Sequence, residues 1–245
     1  MILLSLLLVV CLLGLPAPSE QKIKSAAFNV QVFGKSKSTK ADVMKLLVDI
    51  FLRYHGAVIE EIRDNTDEAI QRLLTAINAA SPGVRYEVRV GERKGRSASK
   101  EQIGFIFRPD NITVVGLASM RTRMAEFERP PDCFSLIIKE SGLRVALLAI
   151  HVSPKYVVKE LDALYDVTNE CERFAGTTNL VLLGDMNADC TYLSKQARDK
   201  LRLRTDRQYA WRITDDMDTT VSDTKCAYDS RGAHEKGMLK EDARR

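Results

Sequence analysis

Apolar positions along the chain follow two alternating rhythms. Short runs at Ile23 to Phe33, Ala57 to Ile62, Tyr86 to Val90, Ile103 to Phe107, Leu143 to Val152 and Leu180 to Leu183 predict strands. Several are apolar at successive positions, which demands cover on both faces. Between them, Lys40 to Tyr54, Thr66 to Ala80 and Val157 to Phe174 space their apolar residues three and four apart, as in Val43, Leu46, Leu47, Ile50 and Phe51, and predict helices. Helices packed outside a sheet or pair of sheets give an α/β layered architecture. There is no internal repeat and no low-complexity linker.

Composition narrows this further. At 245 residues, 45% hydrophobic and 29% charged, the chain is neither disordered nor fibrous, and it is long enough for one sizeable core. Lys plus Arg at 37 against Asp plus Glu at 33 leaves a net charge of +4, too small to hold a nucleic acid by bulk attraction. A polyanionic partner has to be gripped locally. Met1 to Leu15 is almost purely apolar and is followed by Pro16, Ala17, Pro18 and Ser19, which predicts a secretory signal over residues 1–19; the run is shorter than the ~20 residues of a membrane span. Its removal leaves Cys133, Cys171, Cys190 and Cys226 in an oxidising compartment, with three connectivities open. Asn111-Ile112-Thr113 is a glycosylation sequon, placed after a turn signal at Arg108-Pro109-Asp110 that should expose it.

The candidate chemistry sits where the strands end. Asn29 lies in the first strand, Glu60 and Glu61 close the second, His151 follows Leu147 to Ile150, and Gly184-Asp185-Met186-Asn187 follows Leu180 to Leu183. Polar groups near an apolar core are costly unless used, so converging carboxylates and amides point to a shared cation or a phosphate site. An all-oxygen set selects Mg²⁺ or Ca²⁺ over zinc, and no Cys/His cluster with zinc spacing competes. Each residue alone has a plainer role open to it: Asn29 satisfying backbone, Glu61 pairing with Arg63 or Lys24, His151 capping a turn.

Taken in order, the segments resemble the deoxyribonuclease I family of the endonuclease/exonuclease/phosphatase superfamily. The resemblance is carried by Ala27-Phe28-Asn29-Val30-Gln31, Glu60-Glu61-Ile62-Arg63-Asp64, Gly95-Arg96-Ser97-Ala98-Ser99-Lys100-Glu101-Gln102 and Phe127-Glu128-Arg129-Pro130-Pro131. It continues through Ile150-His151-Val152-Ser153-Pro154, Leu161 to Val167, Gly184 to Cys190, Asp218-Thr219-Thr220 and Cys226 to Asp229. It implies a four-layer sandwich of two packed mixed β-sheets flanked by helices, and a secreted endonuclease hydrolysing phosphodiester bonds of DNA, most simply double-stranded, with Mg²⁺ and Ca²⁺. By position it implies that Glu61 holds the metal with Asn29 nearby and that His151 and Glu101 form an acid/base pair. Asp185 and Asn187 would position phosphate and metal, Arg63 and Arg129 would touch DNA, and Cys190 and Cys226 would form the structural disulfide.

Three departures qualify that expectation. Ser99 stands where the family carries a groove-contacting Tyr. Cys133 and Cys171 have no family role, so a bridge and free thiols are both open. After Asp229, the family's strand with its Ser-Asp-His motif is replaced by Ser230 to Gly237 and a charged stretch. The expected organisation is therefore a signal at 1–19, a C-terminally truncated nuclease-like domain at 20–229, and a divergent charged tail at 230–245 without a strand. With only His55 and His234 besides His151, a catalytically impaired isoform that still binds DNA is the alternative to an active nuclease, and a phosphoesterase acting on lipid or sugar phosphate is the third reading.

Overall fold

A computed structural model describes residues 22–213, 217–220, 223 and 225–234, residues 229–234 by backbone alone. The expected signal and the residues after His234 lie outside the described residues. The strands are β1 (Ser25–Phe33), β2 (Gly56–Ile62), β3 (Glu87–Val90), β4 (Gln102–Phe107), β5 (Ile112–Ser119), β6 (Asp132–Ile138), β7 (Arg144–Ala149), β8 (Leu180–Asp185), β9 (Tyr209–Trp211) and β10 (Asp229–His234). The helices are α1 (Lys35–Ser38), α2 (Ala41–Phe51), α3 (Glu68–Ala80), α4 (Val157–Ala175), α5 (Lys195–Arg198) and α6 (Arg202–Thr205).

The strands form two mixed sheets, one ordered β1-β2-β4-β3 and the other β5-β6-β7-β8-β10-β9. In each, one parallel pair, β1 with β2 and β7 with β8, sits among antiparallel neighbours. The period of two along a strand explains why both faces are apolar. Val58, Phe105, Phe107, Phe134, Leu147, Ala149 and Leu183 point between the sheets. Ala57, Ile59 and Ile106 point outward onto Leu47, Phe51, Ile70 and Leu73 of α2 and α3. Ala146, Leu148 and Leu182 point the other way onto Leu161, Leu164 and Val167 of α4. The result is the expected sandwich, helices outside two stacked sheets.

Boundaries moved for local reasons. The third helix starts at Glu68 and not Thr66, because the Asp64 carboxylate takes the amides of Thr66 and Ala69 and builds a turn first. α4 ends at Gly176, whose φ of 66° is the left-handed conformation glycine tolerates best.

One expectation is overturned. Residues 230–234, expected as the start of a strandless tail, continue from Asp229 as β10, antiparallel to both β8 and β9 and central to their edge of the sheet. A ladder is made by amides and carbonyls, so a segment with little apolar character is accepted where flanking strands supply the partners. The cysteines also settle. Cys190 bonds Cys226 as expected by position, and Cys133 in β6 bonds Cys171 in α4, so these two are not free thiols. Among the described residues no helix is long and apolar enough to cross a membrane.

Candidate active site

β1, β2, β7 and β8 all end at one edge of the sandwich, where β4 begins, and the candidate residues meet there. At the centre, His151 Nδ1 lies 2.6 Å from Glu101 Oε1, and both side chains are buried. On the other side of the ring, Nε2 is 3.9 Å from Asp185 Oδ2. Burial would raise the Glu101 carboxyl, but the hydrogen bond and charge of His151, with Arg129 and Arg63 beside it, outweigh that and hold it below the usual carboxylate range. Arg129 Nε is 3.1 Å from Glu101 Oε1, and its guanidinium also donates to the His151 carbonyl. Arg63 spans Glu61, at 3.1 Å, and Glu101, at 3.4 Å.

A second group adjoins the first. One amide nitrogen, Asn29 Nδ2, donates to Glu61 Oε1 at 3.2 Å and to Asp185 Oδ2 at 3.0 Å, drawing two carboxylates from different sheets together. Glu61 Oε2 takes the Val32 amide at 2.8 Å. That contact needs Gln31 and Val32 at φ 47° and 56°, a left-handed pair rare for a β-branched residue, and Lys37 steadies it by donating to the carbonyls of Val30 and Gln31. Asn187, itself at φ 48°, gives its amide to Asp185 Oδ1 and its side-chain nitrogen to the Val152 carbonyl, tying the β8 turn to the His151 loop.

A model of the Endonuclease/Exonuclease/phosphatase family matches residues 26–233. The chain is 35% identical over 213 residues to Deoxyribonuclease-1 of Canis lupus familiaris, covering 84% of this chain and 75% of that protein. It belongs to the deoxyribonuclease I branch of that family. To Deoxyribonuclease-1 of Homo sapiens it is 34% identical, with the same 84% and 75% coverage. Solved structures share the fold at lower identity: the human Nocturnin catalytic domain (TM-score 0.59, 14% identical, 87% and 82% covered) and a Bacteroides thetaiotaomicron mannosyl-6-phosphatase (TM-score 0.56, 15% identical, 88% and 86% covered).

Within this nuclease-family chain, Asn29, Glu61, Arg63, Glu101, Arg129, His151, Asp185 and Asn187 lie at the same edge. The plainer role foreseen for Glu61, pairing with Arg63, is also present, so the two readings coexist in one cluster. Asn111 lies in the expected turn, between β4 and β5, but half-buried and not exposed as expected, because its amide bonds the Arg108 carbonyl and its carbonyl takes the Lys139 amide. The remaining histidines sit at the far end of the sheets. His55 precedes β2 and accepts the Lys24 amide at 2.9 Å. His234 pairs with Leu180 while Asp229 pairs with Asp185, so by register it is five residues, about 17 Å, from the site end.

The sequence placed Glu60 among the strand-end carboxylates without giving it a role. It is fully buried and takes the Asp185 amide on both carboxylate oxygens, at 3.1 Å each. Its place in an apolar strand beside Glu61 was the available signal. Among the described residues no three or more His, Cys, Asp and Glu form a metal cage. Glu61 and Asp185 present hard carboxylate oxygens of the kind that hold a divalent ion, and the Asn29 side-chain nitrogen, a donor and not a ligand, orients both.

Proposed function

We propose that this chain is a secreted, Mg²⁺-dependent endonuclease that hydrolyses phosphodiester bonds of DNA. The observation that carries the reading is the 2.6 Å His151–Glu101 pair, with the second ring nitrogen facing Asp185 and two arginines alongside. Glu101, kept ionised, accepts a hydrogen bond from Nδ1–H and so leaves Nε2 as the nitrogen that takes a proton from the attacking water. Arg63 and Arg129 turn partly exposed guanidiniums toward the same edge, where they steady phosphate charge and hold the polyanion that net charge alone would not. Glu61 and Asp185 hold the divalent ion, which supplies Lewis-acid stabilisation of the phosphate oxygens when bound. Asn29 orients both ligands, and Asn187 fixes the turn that carries Asp185.

Secretion is supported by the apolar residues 1–15 and by two disulfides that an oxidising compartment permits. The Asn111 turn is the expected glycan acceptor in that compartment.

A second reading, a DNA-binding chain that cleaves slowly, is favoured by the position of His55 and His234 at the opposite end of the sheets: only His151 of the three histidines is placed to move protons. Purified protein is to be incubated with supercoiled plasmid and Mg²⁺, with and without chelator, beside His151→Ala and an electrophoretic shift assay. Mg²⁺-dependent nicking that falls about 10²–10⁴-fold in His151→Ala supports the nuclease. Retarded plasmid without nicking supports the second reading, and neither nicking nor binding refutes both.

A further inference from the structure

Two buried ionic groups lie outside the site. Glu160, fully buried in the first turn of α4, accepts the Glu128 amide at 3.0 Å and the Ser153 amide at 3.1 Å. Those amides stand one residue before Arg129 and two after His151. Lys94 sends its ammonium to the Pro130 carbonyl and to Asp132 Oδ1, each at 2.6 Å, and Asp132 also takes the Ser119 hydroxyl at 2.6 Å. Lys94 is in turn paired with Glu101 through both backbone bonds of an isolated bridge, at 2.8 and 2.9 Å.

The peptide around Arg129 is therefore gripped on both sides, its predecessor by Glu160 and its successor by Lys94. Stability does not account for this expense. Asp132 is fully buried and its Oδ2 has no hydrogen-bond partner among the described residues, while Gly91 leaves no room for a Cβ, which would fall 2.3 Å from that oxygen. Buried ion pairs of this kind are commonly matched or exceeded in stability by apolar pairs of similar volume. What an apolar pair would not supply is a directional hold on the Pro130 carbonyl. Burial pushes the Lys94 ammonium down and the Asp132 carboxyl up, each partly offset by the other.

We propose that Lys94, paired with Asp132, and Glu160 are positioning residues that fix Arg129 and, through it, Glu101 and His151; the inference rests on the reading of this edge as the hydrolytic site. Each grips the main chain, so the guanidinium arrives at Glu101 with its backbone already placed, and a site held this way loses rate when its support loosens by a fraction of an ångström.

The test compares the parent protein with Lys94→Met/Asp132→Asn, with Arg129→Ala and with the triple variant, by thermal melting, by plasmid cleavage resolved into kcat and KM, and by ¹³C-carboxyl titration of Glu101. The paired variant is expected to melt cooperatively near the parent and to lose about 10-fold in kcat. Its Glu101 titration should rise toward the ordinary carboxylate range, as in Arg129→Ala, and the triple variant should be no worse than Arg129→Ala. An unmoved Glu101 titration, or losses that add in full in the triple variant, would overturn the proposal. If the paired variant fails to fold, Glu160→Gln, which keeps volume and one acceptor, is judged by the same criteria. If the parent does not cut DNA, the proposed function falls, and the Glu101 titration alone then decides whether Lys94 and Glu160 place Arg129.

Discussion

Gly184 sits where two lines of support for the site cross, and Gly184→Ala tests both at once. Its φ is +135°, and a Cβ there would lie 2.0 Å from the Ile150 carbonyl oxygen and 2.4 Å from Glu60 Oε1. The backbone conformation alone costs an alanine about 1–3 kcal/mol, and forcing atoms into a filled space adds about 1–3 kcal/mol. A loss near 4 kcal/mol is expected, a large share of the ~5–15 kcal/mol that holds a domain of this kind together. At about 2–4 °C per kcal/mol for a chain of this size, the melting temperature should fall by roughly 8–16 °C. The clash is relieved either by moving Ile150, next to His151, or by moving Glu60, which holds the Asp185 amide, so cleavage at 25 °C should fall by about 10² even where the variant is folded. Gly176→Ala is the control: its φ is +66° but no described atom lies within 4 Å of the added carbon, so only the conformational cost of about 1 kcal/mol applies. Circular dichroism melts and plasmid nicking read the two variants side by side. A Gly184→Ala protein that melts within about 2 °C of the parent and nicks plasmid at the same rate would refute the crowding argument and the two supports built on it.

Three further outcomes follow from the same contacts. Asn29→Ala removes the amide shared by Glu61 and Asp185 and should raise the Mg²⁺ concentration for half-maximal nicking by about 10–100-fold; an unchanged metal requirement would separate Asn29 from the ion. Burial pulls Glu101 up, but His151, Arg129 and Arg63 pull it further down, so its folded value lies below the unfolded one, about 4.3. Its stabilising contribution is then full above that pH and is lost as pH falls through the depressed value, so Glu101→Gln should flatten the dependence of melting temperature on pH below about 4.5; an unaltered slope would contradict the sign. Replacing Cys133 and Cys171 together by Ala opens a closure of 38 residues, worth about 4 kcal/mol in the chain-entropy model, and should lower the melting temperature by roughly 8–16 °C; no change would show that the bridge adds nothing to the packing around it.

The strands and helices with a clean period were legible in the sequence alone, because local patterning decides which face of an element is buried. β2, β4, α2, α3 and α4 fall where Val58, Phe105, Leu47, Leu73 and Leu164 required them. The set of polar residues on apolar strands was legible too, since burial makes such groups conspicuous. β5 and β6 were harder: Gly116 interrupts one and Asp132 opens the other, and their place was set by pairing with each other and with β7. β10 was invisible to hydropathy because its partners, not its side chains, make it a strand. The same holds for chemistry carried by distance. Sequence brought His151 forward as a polar residue ending an apolar strand and Glu101 through resemblance, but that Cys133 meets Cys171 is a fact of how α4 lies on β6. Likewise, that Glu160 and Lys94 grip either side of Arg129 follows from chain segments far apart in sequence converging in the folded chain. Periodicity records what each residue needs from its surroundings; only the packed sheets determine which distant residue supplies it.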